Sequence, residues 1–317
     1  MEGIDIVSLV GGNTAAFDPA PPAVIALGLF DGVHIGHRAL LRETVLRARE
    51  TGITPAVFTF SQGSGVKRGV PRLYDDRAKL RLLRECGIEL VYMADFDAVA
   101  PLSPEDFVTR VLCKELNCRV AVSGFNFRFG SSASGDAEDL KRLCAARNMR
   151  AIIIDEERID GVTVSTTLIR RLLSEGKANE AARLLGRPYF LSGTVLHGRG
   201  QGRGWGFPTV NTPLREDTPL LWGVYSSAVC LGDRVYPALT NIGVCPSFDK
   251  REPHAETLLL GFEGDLYGKE LDVHLLDYIR EERIFPSADL LKEQIERDKI
   301  YASERTKDIK WQEIGLK

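Results

Sequence analysis

The chain has 317 residues, 41 Lys and Arg against 44 Asp and Glu, and a formal net charge of −3. That length exceeds the roughly 100–200 residues of an ordinary domain, so two domains are expected. Hydrophobic content of 44% with 27% charged residues excludes a disordered or fibrous chain, and the near-neutral balance argues against a nucleic-acid partner held by bulk positive charge.

In chain order, short apolar runs at 24–29, 56–60, 90–93, 119–123 and 151–154 predict buried strands. Helix-period stretches separate them: 35–50, 76–85, a third with Phe107, Val108, Val111, Leu112 and Leu116 on one face, and a fourth marked by Leu140 and Leu143. Ser103-Pro104 opens the third with a capping hydroxyl and a proline suited to the first turn. This alternation predicts a parallel sheet covered by helices on both faces. After about residue 182 the texture changes to strand-like runs at 189–196, 224–230, 235–241, 256–262 and 271–279, with turns such as Leu231-Gly232-Asp233 between them. A last helix over 287–299, with apolar positions 290, 291 and 295, completes a small antiparallel barrel with a helix against it. The expected domains are 1–182 and 183–317, with the boundary near Gly186-Arg187-Pro188.

No apolar run approaches the about 20 residues of a membrane-spanning helix. The opening Met1-Glu2-Gly3-Ile4-Asp5 lacks the basic-then-apolar order of a secretory signal. Six cysteines without a CxxC pair read as reduced thiols. A cytoplasmic protein with neither membrane nor nucleic-acid partner is expected. Oligomeric state stays open.

The densest chemical signal of the first half is Gly28-Leu29-Phe30-Asp31-Gly32-Val33-His34-Ile35-Gly36-His37, where the first predicted strand meets the first helix. A helix N-terminus at the carboxyl end of a parallel strand presents free N–H groups and partial positive charge, which suits phosphate. Gly28, Gly32 and Gly36 let a nucleotide approach the backbone. His34 and His37, three apart, face one side of the first turn and are placed to stabilise charge as pyrophosphate leaves. The bland alternative is that the pair are caps or surface residues. Farther on, Ser165-Thr166-Thr167 opens a helix with Arg170 on its first turns; hydroxyls, N–H groups and a guanidinium make a triphosphate clamp, or the hydroxyls are a plain N-cap.

In the second half, glycine occupies every second position from Gly198 through Gly200, Gly202 and Gly204 to Gly206, with Arg203 among them. A strand does not choose that; a loop around phosphates does, and so does a flexible linker. The run ends Gly206-Phe207-Pro208-Thr209-Val210-Asn211. Glu256 leads into Leu258-Leu259-Leu260, an acid at the head of a core-like strand, where a salt-bridged structural role is the alternative.

These motifs resemble the bacterial bifunctional riboflavin kinase/FAD synthetase family. The segment 28–37 resembles its HxGH nucleotidyltransferase signature, Gly124-Phe125-Asn126-Phe127-Arg128-Phe129-Gly130 its segment after the fourth strand, and Val164–Arg170 its hydroxyl-rich helix start. Residues 206–211 are similar to the kinase signature G-F-P-T-[AV]-N, and 241–248, 254–257, 266–268 and 279–285 follow in family order. The resemblance implies a Rossmann-like adenylyltransferase domain and a β-barrel riboflavin kinase domain. ATP and FMN would contact Gly28, Phe30, Asp31, Gly36, Asn126, Ser165, Thr166 and Arg170, with His34 and His37 catalytic. Kinase ATP would lie on Gly198, Gly200, Gly202, Arg203, Gly206 and Pro208, with Mg²⁺ at Thr209 and Asn211, Glu256 as base and Arg280 at the flavin. Riboflavin, FMN and ATP are the implied small-molecule partners. Two departures stand out: the family's Pro-His-Pro after the second strand is replaced by Ser61-Gln62-Gly63-Ser64-Gly65-Val66-Lys67-Arg68, and Cys245 stands where members often carry Arg. Two rivals remain open at this level: a nucleotidyltransferase for another phosphorylated substrate, and a flavin-binding regulator with a weakened first site.

Overall fold

A computed structural model of the chain describes residues 4–9, 20–61, 70–196, 209–244, 253–307 and 311. The chain divides into two compact units, Met1–Thr166 and Thr167–Lys317.

The first unit is built on a six-stranded parallel sheet in the order β1-β4-β3-β2-β5-β6. Its strands are β1 (Asp5–Leu9), β2 (Ala23–Leu27), β3 (Thr54–Phe60), β4 (Leu90–Ala94), β5 (Cys118–Gly124) and β6 (Arg150–Ile154). Every position of β2 and β4 is buried, which is why both read as unbroken apolar runs: helices cover both faces. Helix α1 (Ile35–Thr51) seals one face with Leu40, Leu41, Val45 and Ala48, and α2 (Asp76–Glu85) buries Leu82 and Leu83. The short α3 (Phe96–Val99) and α4 (Pro104–Asp106) lead into a π-helical stretch, Phe107–Glu115. There Leu116 N–H reaches back five residues to the Val111 carbonyl. Phe107, Val108, Val111, Leu112 and Leu116 are all buried, as their spacing predicts, and join Leu140, Leu143 and Cys144 of α5 (Ala137–Ala145) in the main core. Burial pushes the Cys144 thiol up to about 12 and Cys118 higher still, so both behave as small apolar groups. The edge strand β1 and the hairpin β7 (Arg158–Ile159)–β8 (Val162–Thr163) escape the periodicity. In β1, Val7 is buried while Ile6 is half exposed. The hairpin turns on Asp160-Gly161, both at positive φ, a pairing that suits a two-residue loop.

The second unit begins with α6 (Thr166–Ser174), whose first residue still counts with the first unit, and α7 (Ala178–Leu185). They belong there because α7 packs on β9 (Tyr189–Thr194) and β14 (Glu270–Arg280), and the Leu173 carbonyl accepts from Leu221 N–H. The antiparallel sheet runs β10 (Thr209–Pro213), β13 (Pro253–Leu259), β12 (Arg234–Val244), β11 (Gly223–Leu231), β14, β9. Among the described residues, a bridge between Leu196 and Asn211 links its two edges, curling it towards closure. A Cβ on Gly193 would stand 2.4 Å from the Thr212 methyl, so the close approach of β9 and β10 requires glycine there.

Helix α8 (Ala288–Lys307) packs on β11, β12 and β14. It is longer than the sequence predicts, and its face is only partly the predicted one: Ile295 packs against the cluster of Val224, Leu239, Leu258 and Ala302 and Leu291 is half-buried, but Leu290 is exposed, while Asp298, Ala302 and Thr306 are buried. The cause is an ion pair. Asp298 Oδ2 accepts from Arg280 Nε at 3.0 Å and from a terminal nitrogen at 2.8 Å, and Gln294 donates to its other oxygen. Removing one partner of so buried a pair costs about 3–5 kcal/mol, so charge that hydrophobic periodicity does not see adds to the apolar packing of Ile295 and Ala302.

Candidate functional sites

In the first unit, β3 lies on one side of β2 and β5 on the other, so the chain's crossovers diverge at β2. That divergence opens a crevice at the carboxyl ends of β2 and β5, the ligand position of open α/β sheets. The segment between β2 and α1 is strained to fit it: Phe30 and Val33, both fully buried, sit at φ 51° and 41°, with Gly32 at 90° between them. Left-handed backbone at a phenylalanine and a valine costs of order 1–3 kcal/mol each and persists only where surrounding packing dictates it. Asp31 is part of that packing. Its carboxylate accepts from Leu73 N–H at 3.0 Å, and its carbonyl accepts from the Thr166 hydroxyl at 3.2 Å.

His34 caps α1, its Nδ1 accepting the His37 N–H at 3.2 Å. The capping reading is thus met, and in a neutral imidazole accepting at Nδ1 leaves the proton on Nε2 as a donor of fixed direction. The two imidazoles stack with centroids 3.6 Å apart, and Phe30 meets His37 edge-on at 5.3 Å. Gly36 makes the stack possible, because a Cβ there would stand 3.3 Å from the His34 ring. Gly36→Ala is accordingly expected to push the His34 ring by a few tenths of an ångström. Alanine favours the helix by up to about 1 kcal/mol, so the melting temperature should hold or rise.

Beside the crevice, Ala26 of β2 pairs in register with Val122 of β5. Beyond β5, Phe125 and Asn126 are exposed on a turn closed by Phe127 N–H to the Gly124 carbonyl, while Phe127 and Phe129 stack at 5.5 Å. Gly28 follows β2 and takes a hydrogen bond route to β3 through Phe58. Ser165 and Thr166 are half-buried, and Arg170 lies one helical turn beyond Thr166 on α6. Lys79 carries no motif and escapes sequence reasoning. Its ammonium is buried at the end of β3, donating to the Phe60 carbonyl at 3.0 Å and lying 3.3 Å from Asp76. Burial holds it below the usual lysine range, against the pull of Asp76. The available signal was a lysine on the apolar face of α2. The residues replacing Pro-His-Pro, beyond Ser61, lie outside the described residues.

In the second unit, strand pairing aligns Asn211, Glu256 and Asn241 in one row across β10, β13 and β12. Thr209, two residues from Asn211, shares its face, as does His254 beside Glu256. Glu256 is about 40% exposed, with His254 Nε2 3.4 Å from Oε1. The opposite face is sealed by a chain of buried hydroxyls, Ser227 to Thr240 at 2.7 Å and Thr240 to Thr257 at 3.0 Å. Arg280 is committed to Asp298, with Phe285 5.7 Å beneath its guanidinium. Gly198, Gly200, Gly202, Arg203, Gly206, Pro208 and Cys245 lie outside the described residues. Among the described residues, no group of three His, Cys, Asp or Glu is placed to hold a metal, and no helix is long and apolar enough to cross a membrane.

A strained turn thus brings two histidines to a helix N-terminus in the first unit, and a partly exposed carboxylate stands between two asparagines of neighbouring strands in the second. Residues 18–168 match the FAD synthetase family and residues 185–306 the riboflavin kinase family. The bifunctional riboflavin kinase/FMN adenylyltransferase of Escherichia coli (strain K12) is 36% identical over 90% of this chain and 93% of its own length. That of Bacillus subtilis (strain 168) is 34% identical over 87% and 90%. A solved structure described as a macrolide-efflux protein from Streptococcus pneumoniae superposes with a TM-score of 0.83 at 30% identity, covering 95% of this chain and 99% of that one. The chain belongs to the bifunctional riboflavin kinase/FMN adenylyltransferase family, and is an enzyme of flavin cofactor biosynthesis with both domains present.

Proposed function

We propose that the two steps run at the two sites just described. In the second unit, riboflavin's terminal ribityl hydroxyl attacks the γ-phosphorus of ATP, its proton passing to Glu256 as the O–P bond forms and ADP leaves. A ribityl hydroxyl is a poor nucleophile, so this step wants a base. In the first unit, an FMN phosphate oxygen attacks the α-phosphorus of a second ATP, forming FAD and releasing pyrophosphate. That nucleophile is already an anion, so the step needs position and charge stabilisation and no base. The capped N-terminus of α1, His34 Nε2 and His37 would receive the charge; Gly28, Phe30, Asp31 and Gly36 shape the approach, and Asn126, Ser165, Thr166 and Arg170 complete the clamp by their motifs. The observation that carries the reading is the row Asn211–Glu256–Asn241, which brings the motif residues of three separate segments together.

Thr209 and Asn211 fit Mg²⁺: both offer neutral oxygens on one half-exposed face beside a carboxylate, a hard-donor set adequate when phosphates bring the charge. Bound there with ATP, the ion would supply neutralisation of phosphate charge. ATP would rest on the loop of Gly198, Gly200, Gly202, Arg203, Gly206 and Pro208, and Arg280 would border the flavin. The test is to incubate the protein with riboflavin, ATP and Mg²⁺ and resolve FMN and FAD by chromatography. FMN must appear before FAD. Asn211→Ala is expected to raise the Mg²⁺ concentration for half-maximal FMN formation by about tenfold, the worth of roughly one metal contact at 1.4 kcal/mol. FAD formation from supplied FMN should keep its wild-type Mg²⁺ response.

A further inference from the structure

Asn241 stands beside Glu256 in the row across β12 and β13, yet phosphoryl transfer as described above leaves it without a task. Its Nδ2 donates to Glu282 Oε1 at 3.0 Å. A carboxylate only accepts, so this bond decides which way the amide faces: nitrogen to Glu282, oxygen away. Oδ1 is buried and has no hydrogen-bond partner among the described residues. A buried carbonyl oxygen left without a donor is costly unless a ligand supplies one.

Glu282 is seated with equal specificity. It follows β14 and lies against Gly243, where a Cβ would stand 3.0 Å from Oε2. A Cβ at 243 would press on that carboxylate, which would have to give by a few tenths of an ångström. The flanking Arg280 and Arg283 turn to Asp298 and Gln294, leaving Glu282 to the amide. The unmet need is thus a donor, on the same face as Glu256. Phosphate oxygens are acceptors and are excluded. The ribityl chain of riboflavin is a row of hydroxyl donors attached to the atom that Glu256 is to deprotonate.

We infer that Asn241 accepts a hydrogen bond from a ribityl hydroxyl of riboflavin, and that Glu282 is the positioning residue that holds its amide in the accepting orientation. The inference rests on Glu256 marking the kinase site. The pair reads the polyol chain and not the flavin ring.

The experiment measures binding to the full chain by quenching of flavin fluorescence, with riboflavin and with lumiflavin, which has the ring but a methyl in place of the ribityl chain. Asn241→Ala and Glu282→Ala should each weaken riboflavin binding by about tenfold, and lumiflavin binding should stay within twofold. The double variant should be no weaker than the worse single, because the two act as one unit. Glu282→Gln, whose amide both donates and accepts, should lose less than Glu282→Ala and serves where the alanine variant folds poorly. Equal losses for both flavins would show a structural role and overturn the proposal, as would unchanged riboflavin affinity. Glu256→Gln separates the two readings: wild-type turnover there with ribityl-selective losses at Asn241 and Glu282 sinks the base assignment and leaves this inference standing.

Discussion

Glu256→Gln is expected to lower riboflavin phosphorylation by about 10²–10⁴-fold, roughly 3–5 kcal/mol of barrier. Glutamine keeps the size and much of the hydrogen bonding of the side chain but cannot take up the hydroxyl proton. The loss lies in the transition state, so kcat should fall while riboflavin and ATP affinities change little. FAD formation from supplied FMN should be untouched, because that nucleophile arrives deprotonated. Stability should hardly move. Glu256 is partly exposed on the outer face of the sheet, and its contact with His254 at 3.4 Å is long for an ion pair that would hold the strand. A variant with near-normal turnover would remove Glu256 as the base. An unfolded variant would instead make the His254 contact structural.

What the sequence discloses and what it hides follow one physical division. Local periodicity is legible: the fully buried β2 and β4 appear as apolar runs, and the face of 107–116 is read correctly even though its backbone is π-helical. The motif at 28–37 is legible as a turn into a helix start because glycines and helix caps are local features. Long-range pairing is not local. Asn211, Glu256 and Asn241 become one row only through the register of three strands, and nothing in any single segment announces that neighbourhood. Strand β10 itself hides behind the glycine-rich run, its five residues too short to show alternation. Polar groups buried by partners are invisible for the same reason: Asp298 sits on the packed face of α8 because Arg280 meets it there, and Lys79 is buried because a strand-end carbonyl receives it. Backbone strain is hidden too. Gly32 advertises positive φ, but Phe30 and Val33 adopt it against their own preference because the turn's packing leaves no alternative.

His37→Ala is expected to reduce FAD formation from supplied FMN by about 10²–10³-fold, the typical loss when one positioned donor to developing charge is removed. In the proposed step pyrophosphate leaves with charge accumulating on its bridging oxygen, and the first turn of α1 is where the imidazoles would meet that charge. The substitution leaves the cap intact, because His34 Nδ1 accepts the backbone N–H of residue 37, which alanine retains. It does remove the stack on His34 and the edge contact with Phe30, worth about 0.5–1.5 kcal/mol each in aromatic pairs. A small drop in melting temperature should therefore accompany the large drop in rate. Riboflavin phosphorylation should stay near wild type, since Glu256, Asn211 and Asn241 belong to the other unit. The same incubation reports both steps: FMN should accumulate at its normal rate and FAD should fail to follow. If FMN and FAD formation fell together in a protein that melts normally, the assignment of one step to each unit would be wrong. Restoration of FAD formation by His37→Asn, whose amide can donate but carries no charge, would assign the contribution to a directed hydrogen bond and not to an imidazolium.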